Sequence, residues 1–428
     1  MLKKILITSI LLLSCLRGFV FAAEEEKFVN LIPIASPITP ITARVIAQAI
    51  NQSATDLAEA LIIELDTPGG LDESMRQIVR EILNSKVPVI VYVSPGGARA
   101  SSAGVFITLA AHVAAMSPGT NIGAAHPVSL GGQMDSTMLK KVENDAAAYI
   151  KSLAKKRGRN EEWAEEAVRK SVSITEYEAR QKKVIDLVAN DLRDLLSKVD
   201  GRKIALQEGE ERTLHTKNAQ VKRIEISWRD RILEVITNPN IAYLLYTLGM
   251  LGLFFELSNP GAIFPGIIGG ICLILAFFAF QSLPINYAGV LLMALGLILF
   301  LLEVKIVSHG ALTIGGIISM LLGSLLLFDS PVPYMRVSLT LIIVAVVSTA
   351  LFFIFAVGMG IKAQRRKPTT GQAGLLGQIA VARTPLEPEG TVFVEGELWK
   401  AISDQPVQVG EKVKILGVEH LTLKVTKA

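Results

Sequence analysis

Between Val235 and Ile361 only five side chains carry charge: Glu256, Glu303, Lys305, Asp329 and Arg336. A stretch that long with so little charge cannot be hydrated as an ordinary protein surface, and it is long enough to cross a bilayer repeatedly. The chain is therefore read as a membrane block set between soluble parts, in which charge returns to the roughly 25% usual for soluble proteins. The 50% apolar content, 34 scattered glycines and two cysteines exclude a disordered chain, a collagen-like fibre and a disulfide scaffold. A dispersed net charge of +4 gives no basis for binding nucleic acid.

Residues 1–22 read as a secretory signal peptide, with Lys3 and Lys4, an apolar run from Ile5 to Leu13, and Ala22 and Ala23 before three glutamates. Leu12-Leu13-Ser14-Cys15 also fits a lipoprotein cleavage box. Once the signal is removed only Cys272 remains, so neither an intramolecular disulfide nor a cysteine-built zinc site is expected. The membrane domain, 241–361, breaks into five apolar segments at about 241–257, 262–280, 286–302, 311–328 and 338–361. The first and third are short for a crossing, and the first also fits a re-entrant segment. A cleaved signal leaves the N-terminal domain outside the cytoplasmic membrane, and five crossings then put the C-terminal domain in the cytoplasm. Lys362, Arg365, Arg366 and Lys367 supply the basic inner flank this topology requires. Glu256 and Glu303, at segment ends, are read as acids reaching headgroup water. Just before the block, Ile226 to Thr237 mixes apolar residues with Arg229, Asp230, Arg231 and Glu234. It suits either an interfacial helix with Trp228 at headgroup level or a surface helix closing the outer domain.

From Lys27 to Asn190 strand and helix patterns alternate: Val29–Ile34, Thr39–Asn51, Ala60–Asp66, Leu71–Asn84, Val87–Val93 and Ser102–Ala111. This order predicts an α/β domain with a largely parallel sheet, whose chemistry gathers where strands end and helices begin. Two junctions stand out. At Glu64-Leu65-Asp66-Thr67-Pro68-Gly69-Gly70 adjacent glycines bare the backbone N–H groups that an oxyanion needs, although an ordinary tight turn has the same composition. At Pro95 to Gly104 a glycine-rich loop runs into an apolar helix. A serine there is presented at a helix N-terminus, as a nucleophile or simply as an N-cap. A helix over Ser136–Arg157, with Leu139, Val142, Ala146, Ile150 and Leu153 on its apolar face, sets Lys141 near the stripe's border. Partial burial there would lower its pKa and make a neutral amine base.

The strings ELDTPGG, SPGGARASSAG, AAMSPGTNIGAAHPV and KVENDAAAYIKSLAKKRGRN, in that order, resemble the long form of the NfeD family, membrane-bound serine proteases of the Clp protease/crotonase superfamily. The resemblance covers nearly the whole mature chain. It implies a Clp-like serine protease domain over 28–225 with a Ser-Lys dyad, Ser102 as nucleophile and Lys141 as general base, and an oxyanion hole at Gly69 and Gly70. Ser101 is the weaker serine of the pair. His126, 24 residues after Ser102, is placed like the histidine of soluble Clp proteases, which makes it an alternative base or a cleft residue. No metal, nucleotide or other cofactor is required.

Residues 373–428 show five short alternating segments, Gly377–Arg383, Gly390–Val394, Glu397–Ile402, Glu411–Val418 and Leu421–Val425, which fit a small all-β, OB-like barrel. Stacking aromatics are scarce, with only Phe393 and Trp399, so protein is the expected partner. The resemblance implies the same fold, and as partner a stomatin-like (SPFH) membrane protein whose apolar C-terminal segment is a substrate. It also implies a homodimer or higher oligomer. The expected activity is endopeptidase cleavage of apolar segments outside the membrane. The readings beside it are a non-catalytic scaffold for stomatin-like proteins and acyl-CoA chemistry on the same superfold.

Overall fold

The computed structural model describes residues 27–128, 135–206, 209–258, 261, 263–306, 308–328, 330, 335–364 and 372–428. The signal-peptide segment and the basic flank Arg365-Arg366-Lys367 lie outside the described residues. The chain divides into two compact units, 1–301 with 314–347, and 302–313 with 348–428.

In the N-terminal domain a strand repeatedly leads into a helix that returns over the sheet. β1 (Phe28–Ile34) precedes α1 (Pro40–Thr55), β2 (Leu61–Leu65) precedes α2 (Asp72–Leu83), and β3 (Val89–Val93) leads through β4 (Arg99–Ser101) into α3 (Ala103–Ala110). Then come β5 (Val113–Met116), β6 (Asn121–Gly123), α4 (Ser136–Lys156), α5 (Glu161–Arg169), β7 (Ser173–Thr175), α6 (Glu176–Gln181), β8 (Leu187–Val188) and α7 (Leu192–Val199). A hairpin, β9 (Lys203–Ala205) and β10 (Glu211–Thr213), precedes β11 (Gln220–Arg223). The main sheet has six strands in the order β11-β1-β2-β3-β5-β8, and every pair is parallel.

Period-two alternation builds both of its faces. Ile32 and Ile34, Leu61, Ile63 and Leu65, and Val89, Val91 and Val93 share one core with α1 to α5. Val29 and Leu31, Ile62, and Ile90 and Tyr92 share the opposite core with α7. A second sheet, β4-β6-β7, lies beside the first at the carboxyl end of β2, where Thr67 bridges Ala100.

After α8 (Trp228–Ile236) come five apolar helices: α9 (Pro239–Ser258), α10 (Ile263–Phe280), α11 (Tyr287–Lys305), α12 (Ala311–Leu327) and α13 (Leu339–Gln364). α9, at 20 residues, is long enough for a bilayer. Glycines let the helices close on one another. A Cβ on Gly252 would lie 2.7 Å from the Cα of Gly269, which locks α9 to α10. On α11 and α12 a Cβ at Gly296 would meet the Gly316 carbonyl at 2.9 Å, and one at Gly289 would meet the backbone of Leu327 at 2.6 Å. Glu303, read as an acid reaching water, has protein partners instead. It is buried and accepts from Ser308 Oγ at 2.7 Å and from the N–H groups of Gly310 and Thr313 at 3.1 and 2.9 Å, capping the turn into α12.

The C-terminal unit ends in a short helix, α14 (Gln372–Leu375), and a closed five-stranded barrel. Its strands are β12 (Ile379–Ala382), β13 (Glu389–Val394), β14 (Glu397–Ser403), β15 (Lys412–Glu419) and β16 (Thr422–Lys427), in the order β12-β13-β14-β16-β15. Ala380, Val392, Ala401, Val413 and Leu423 fill it from inside. The strands fall within two residues of those read from the alternation.

Candidate active site

Three backbone segments converge where β2 ends. Thr67 N–H donates to the Arg99 carbonyl at 2.8 Å, and Ser101 N–H donates back to the Thr67 carbonyl at 3.1 Å. This stitches the Pro68-Gly69-Gly70 turn to the loop entering α3. Ser102 N–H is held by the Gly123 carbonyl of β6 at 3.1 Å.

Ser102 is the N-cap of α3 with φ +51° and ψ −112°, in left-handed territory that a serine enters only when its surroundings force it, at a cost of about 1–3 kcal/mol. Its side chain makes no capping bond, so Oγ is not consumed by the helix it introduces. Glycine at position 69 is dictated twice: φ is +115°, and a Cβ would sit 2.6 Å from Ser102 Cβ. Gly70 backs onto Ile38, where a Cβ would lie 2.1 Å from the carbonyl oxygen. Gly69 N–H donates to Thr67 Oγ1 at 3.2 Å, so of the two glycines Gly70 has the better N–H for an incoming oxyanion.

A cavity of about 570 Å³ opens beside the serine, and Gly70, Ser102 and Lys141 all line it. Met75, Phe106, Val128, Met138 and Val142 make its walls largely apolar. Lys141 is exposed, not partly buried as the helical spacing had led one to expect, because the first turns of α4 stand clear of the core and full burial begins only at Ala146. Met138 and Leu139 are exposed for the same reason. Among the described residues Lys141 forms no ion pair, whereas Lys151, Lys170 and Lys198 each hold a carboxylate.

A link between α2 and this helix has no signal in the sequence. Arg76 of α2 donates to Asp72 at 2.7 Å and to Asp145 of α4 at 2.5 Å, and stacks 4.6 Å from the Tyr149 ring. Asp145 lies one turn beyond Lys141, a spacing that marks it as a neighbour on the same helix face. His126 is turned elsewhere, with Nδ1 2.9 Å from the Val168 carbonyl at the end of α5; its neighbours Ala125 and Pro127 line the cavity. Among the described residues no group of three His, Cys, Asp or Glu side chains converges as a metal site would require.

The far end of α3 is also fastened. Arg159 donates to the carbonyls of Leu109 and Ala111 at 2.6 and 3.0 Å and pairs with Asp186 at 2.7 Å, while Arg157 Nε donates to the Ala110 carbonyl at 2.8 Å. Burial, then the neighbouring Arg159, pulls Arg157 down to about 10, so it remains a cation at neutral pH. Next to them His112 accepts the Val89 N–H on Nδ1 at 3.2 Å. Burial first, and then Arg157, Arg159 and Lys156, depress His112 from 6.5 to about 3. Between those values the unfolded chain takes up the proton and the folded chain does not. Stability should therefore fall as pH drops through that window, by roughly 1 kcal/mol per pH unit. Thermal unfolding at about pH 7 and about pH 5 should show this slope in the wild type and a shallower one in His112→Asn. Equal slopes would mean that other groups govern the acid limb.

Comparison with known proteins is consistent along the whole chain. Residues 28–222 match the model of the NfeD1b N-terminal domain, 240–358 the NfeD integral membrane domain and 372–427 the NfeD-like C-terminal, partner-binding domain. The membrane-bound protease PH1510 of Pyrococcus horikoshii is 37% identical over 99% of this chain and 98% of its own length. The chain belongs to the NfeD family. It is the long form, with all three domains, and a membrane protein. The NfeD1b membrane protein of Bacillus subtilis is 28% identical over 96% of this NfeD chain and 95% of its own. A solved structure described as a membrane-bound stomatin-specific protease, a lysine-to-alanine mutant in complex with a substrate peptide, is 40% identical. It spans 50% of this chain and 98% of its own, with a TM-score of 0.47.

Proposed function

We propose that this NfeD protein is a membrane-anchored serine endopeptidase of the Clp protease/crotonase superfamily that cleaves apolar segments of membrane-associated proteins with a Ser102–Lys141 dyad. The observation that carries the reading is the left-handed Ser102, its Oγ free of the helix, sharing a largely apolar cavity with Gly70 and Lys141. Ser102 Oγ attacks the scissile carbonyl carbon as its proton passes to Lys141 Nζ. The oxyanion is held by Gly70 N–H with Gly69 shaping the turn, and Lys141 returns the proton to the leaving amine. Water then hydrolyses the acyl-enzyme. An apolar segment filling the cavity excludes water from the place where the proton passes between Ser102 and Lys141.

The substrate class follows from the cavity walls and from the family resemblance, which points to the C-terminus of a stomatin-like protein. The barrel is the natural docking module for that partner, on the cytoplasmic side if the five apolar helices all cross. A dimer or higher oligomer is expected from the family.

The test is incubation of the purified full chain with apolar peptides, including one from a stomatin-like C-terminus, with products read by mass spectrometry. Cleavage should occur, and a serine-directed phosphonate should label Ser102. A folded chain that binds the peptide, leaves it whole and resists the phosphonate would sink the peptidase reading and leave a scaffold.

A further inference from the structure

The helix α8 presents two different faces. Asp230, 7% exposed, is clamped to Arg44 of α1 at 2.5 Å, Leu233 packs on the main core, and Ile236 is buried. On the opposite side Trp228, Ile232 and Val235 are 69%, 48% and 53% exposed. At about 100° per residue these three fall in one narrow apolar stripe roughly opposite Asp230, with Arg231 on one flank and Arg229 on the other beyond the buried Ile236. The Arg229 guanidinium sits 5.7 Å from the Trp228 ring.

What covers this stripe is set by where the helix ends. Thr237 Oγ1 closes α8 on the Leu233 carbonyl at 3.0 Å, and Asn238 Oδ1 caps the next helix through Asn240 N–H at 2.9 Å. α9 thus begins at Pro239 with no slack, and the NfeD integral membrane domain starts at 240. The boundary of the bilayer therefore lies within a turn or two of α8. An exposed tryptophan flanked by arginines, with aliphatic neighbours on the same face, has the composition of a helix lying in that boundary.

We infer that α8 lies in the membrane interface, with Trp228, Ile232 and Val235 in the headgroup and upper acyl region and Arg229 and Arg231 on lipid phosphates. Through the Arg44–Asp230 pair it fixes the protease domain to the membrane surface. The inference is independent of whether Ser102 is a catalytic residue.

The full chain, reconstituted in phosphatidylcholine and phosphatidylglycerol vesicles containing lipid brominated high in the acyl chain, provides the test. Wild type should lose a share of its tryptophan emission that Trp228→Phe does not lose, because Trp163 is buried in the protease core and Trp399 belongs to the barrel. Ile232→Asp with Val235→Asp, both on the exposed face, should remove that quenching while leaving the far-ultraviolet spectrum unchanged. Equal quenching of wild type and Trp228→Phe would overturn the inference. So would a Trp228 that remains fully open to aqueous acrylamide in vesicles, or one shielded from acrylamide and bromolipid alike, as burial against a second copy would produce.

Discussion

Ser102→Ala should lower cleavage of an apolar peptide by roughly four to six orders of magnitude, the loss seen when the nucleophile of a working serine enzyme is removed. Lys141→Ala should cost about three orders or more, since without a base the hydroxyl remains protonated and only binding and the oxyanion turn still help. Lys141→Arg should not restore activity, because a guanidinium cannot accept the proton at any accessible pH. His126→Ala should stay within about tenfold of wild type, or about 1.4 kcal/mol of barrier, because its ring is occupied with the Val168 carbonyl. Initial rates by mass spectrometry at matched peptide occupancy discriminate the outcomes. Cleavage that survives Lys141→Ala but not His126→Ala would hand the base to histidine.

Much of this architecture is legible in the residues. Buried parallel strands announce themselves as apolar runs such as Val89-Ile90-Val91-Tyr92-Val93, and the two glycine turns mark where those strands deliver the chain to helices. The near absence of charge from Val235 to Ile361 gives the membrane block directly. What stayed hidden has a common physical cause, which is that it depends on partners distant in sequence. β11, Gln220-Val221-Lys222-Arg223, is exposed at every position and has no apolar period, yet its backbone completes the sheet by pairing with β1. β4, β6 and β7 are three residues each, too short for any periodicity, and still they orient Ser102 through Gly123. Lys141 lies on the helix that the periodicity predicts, but spacing alone overstates its burial. A helical stripe tells which side faces inward and not where along the helix the core begins, and here that point is Ala146. Glu303 looked like an acid bound for water because its partners, the Gly310 and Thr313 N–H groups, belong to the turn and helix that follow.

Arg159→Ala should destabilise the N-terminal domain by about 3–5 kcal/mol, the usual cost of stripping one partner from a buried ion pair. The guanidinium does three jobs at once. It neutralises Asp186, whose Oδ2 also accepts the Ala114 N–H at 2.7 Å; it satisfies C-terminal carbonyls of α3; and it places a cation at that helix's negative end. α3 is only eight residues long and buried throughout, so its C-terminal carbonyls depend on donors from the protein. Its other end carries Ser102 in a strained conformation, which persists only while the surrounding structure holds it. Loosening the anchor should therefore reach the candidate active site. Thermal unfolding should shift down by on the order of 10 °C for a domain of this size, and phosphonate labelling of Ser102 should slow below the melting point. Arg159→Lys should recover only part of both losses, because one ammonium cannot span the Leu109 and Ala111 carbonyls and Asp186 together. An unchanged melting temperature in Arg159→Ala would mean that Arg157, from the Ala110 carbonyl, carries the cap alone.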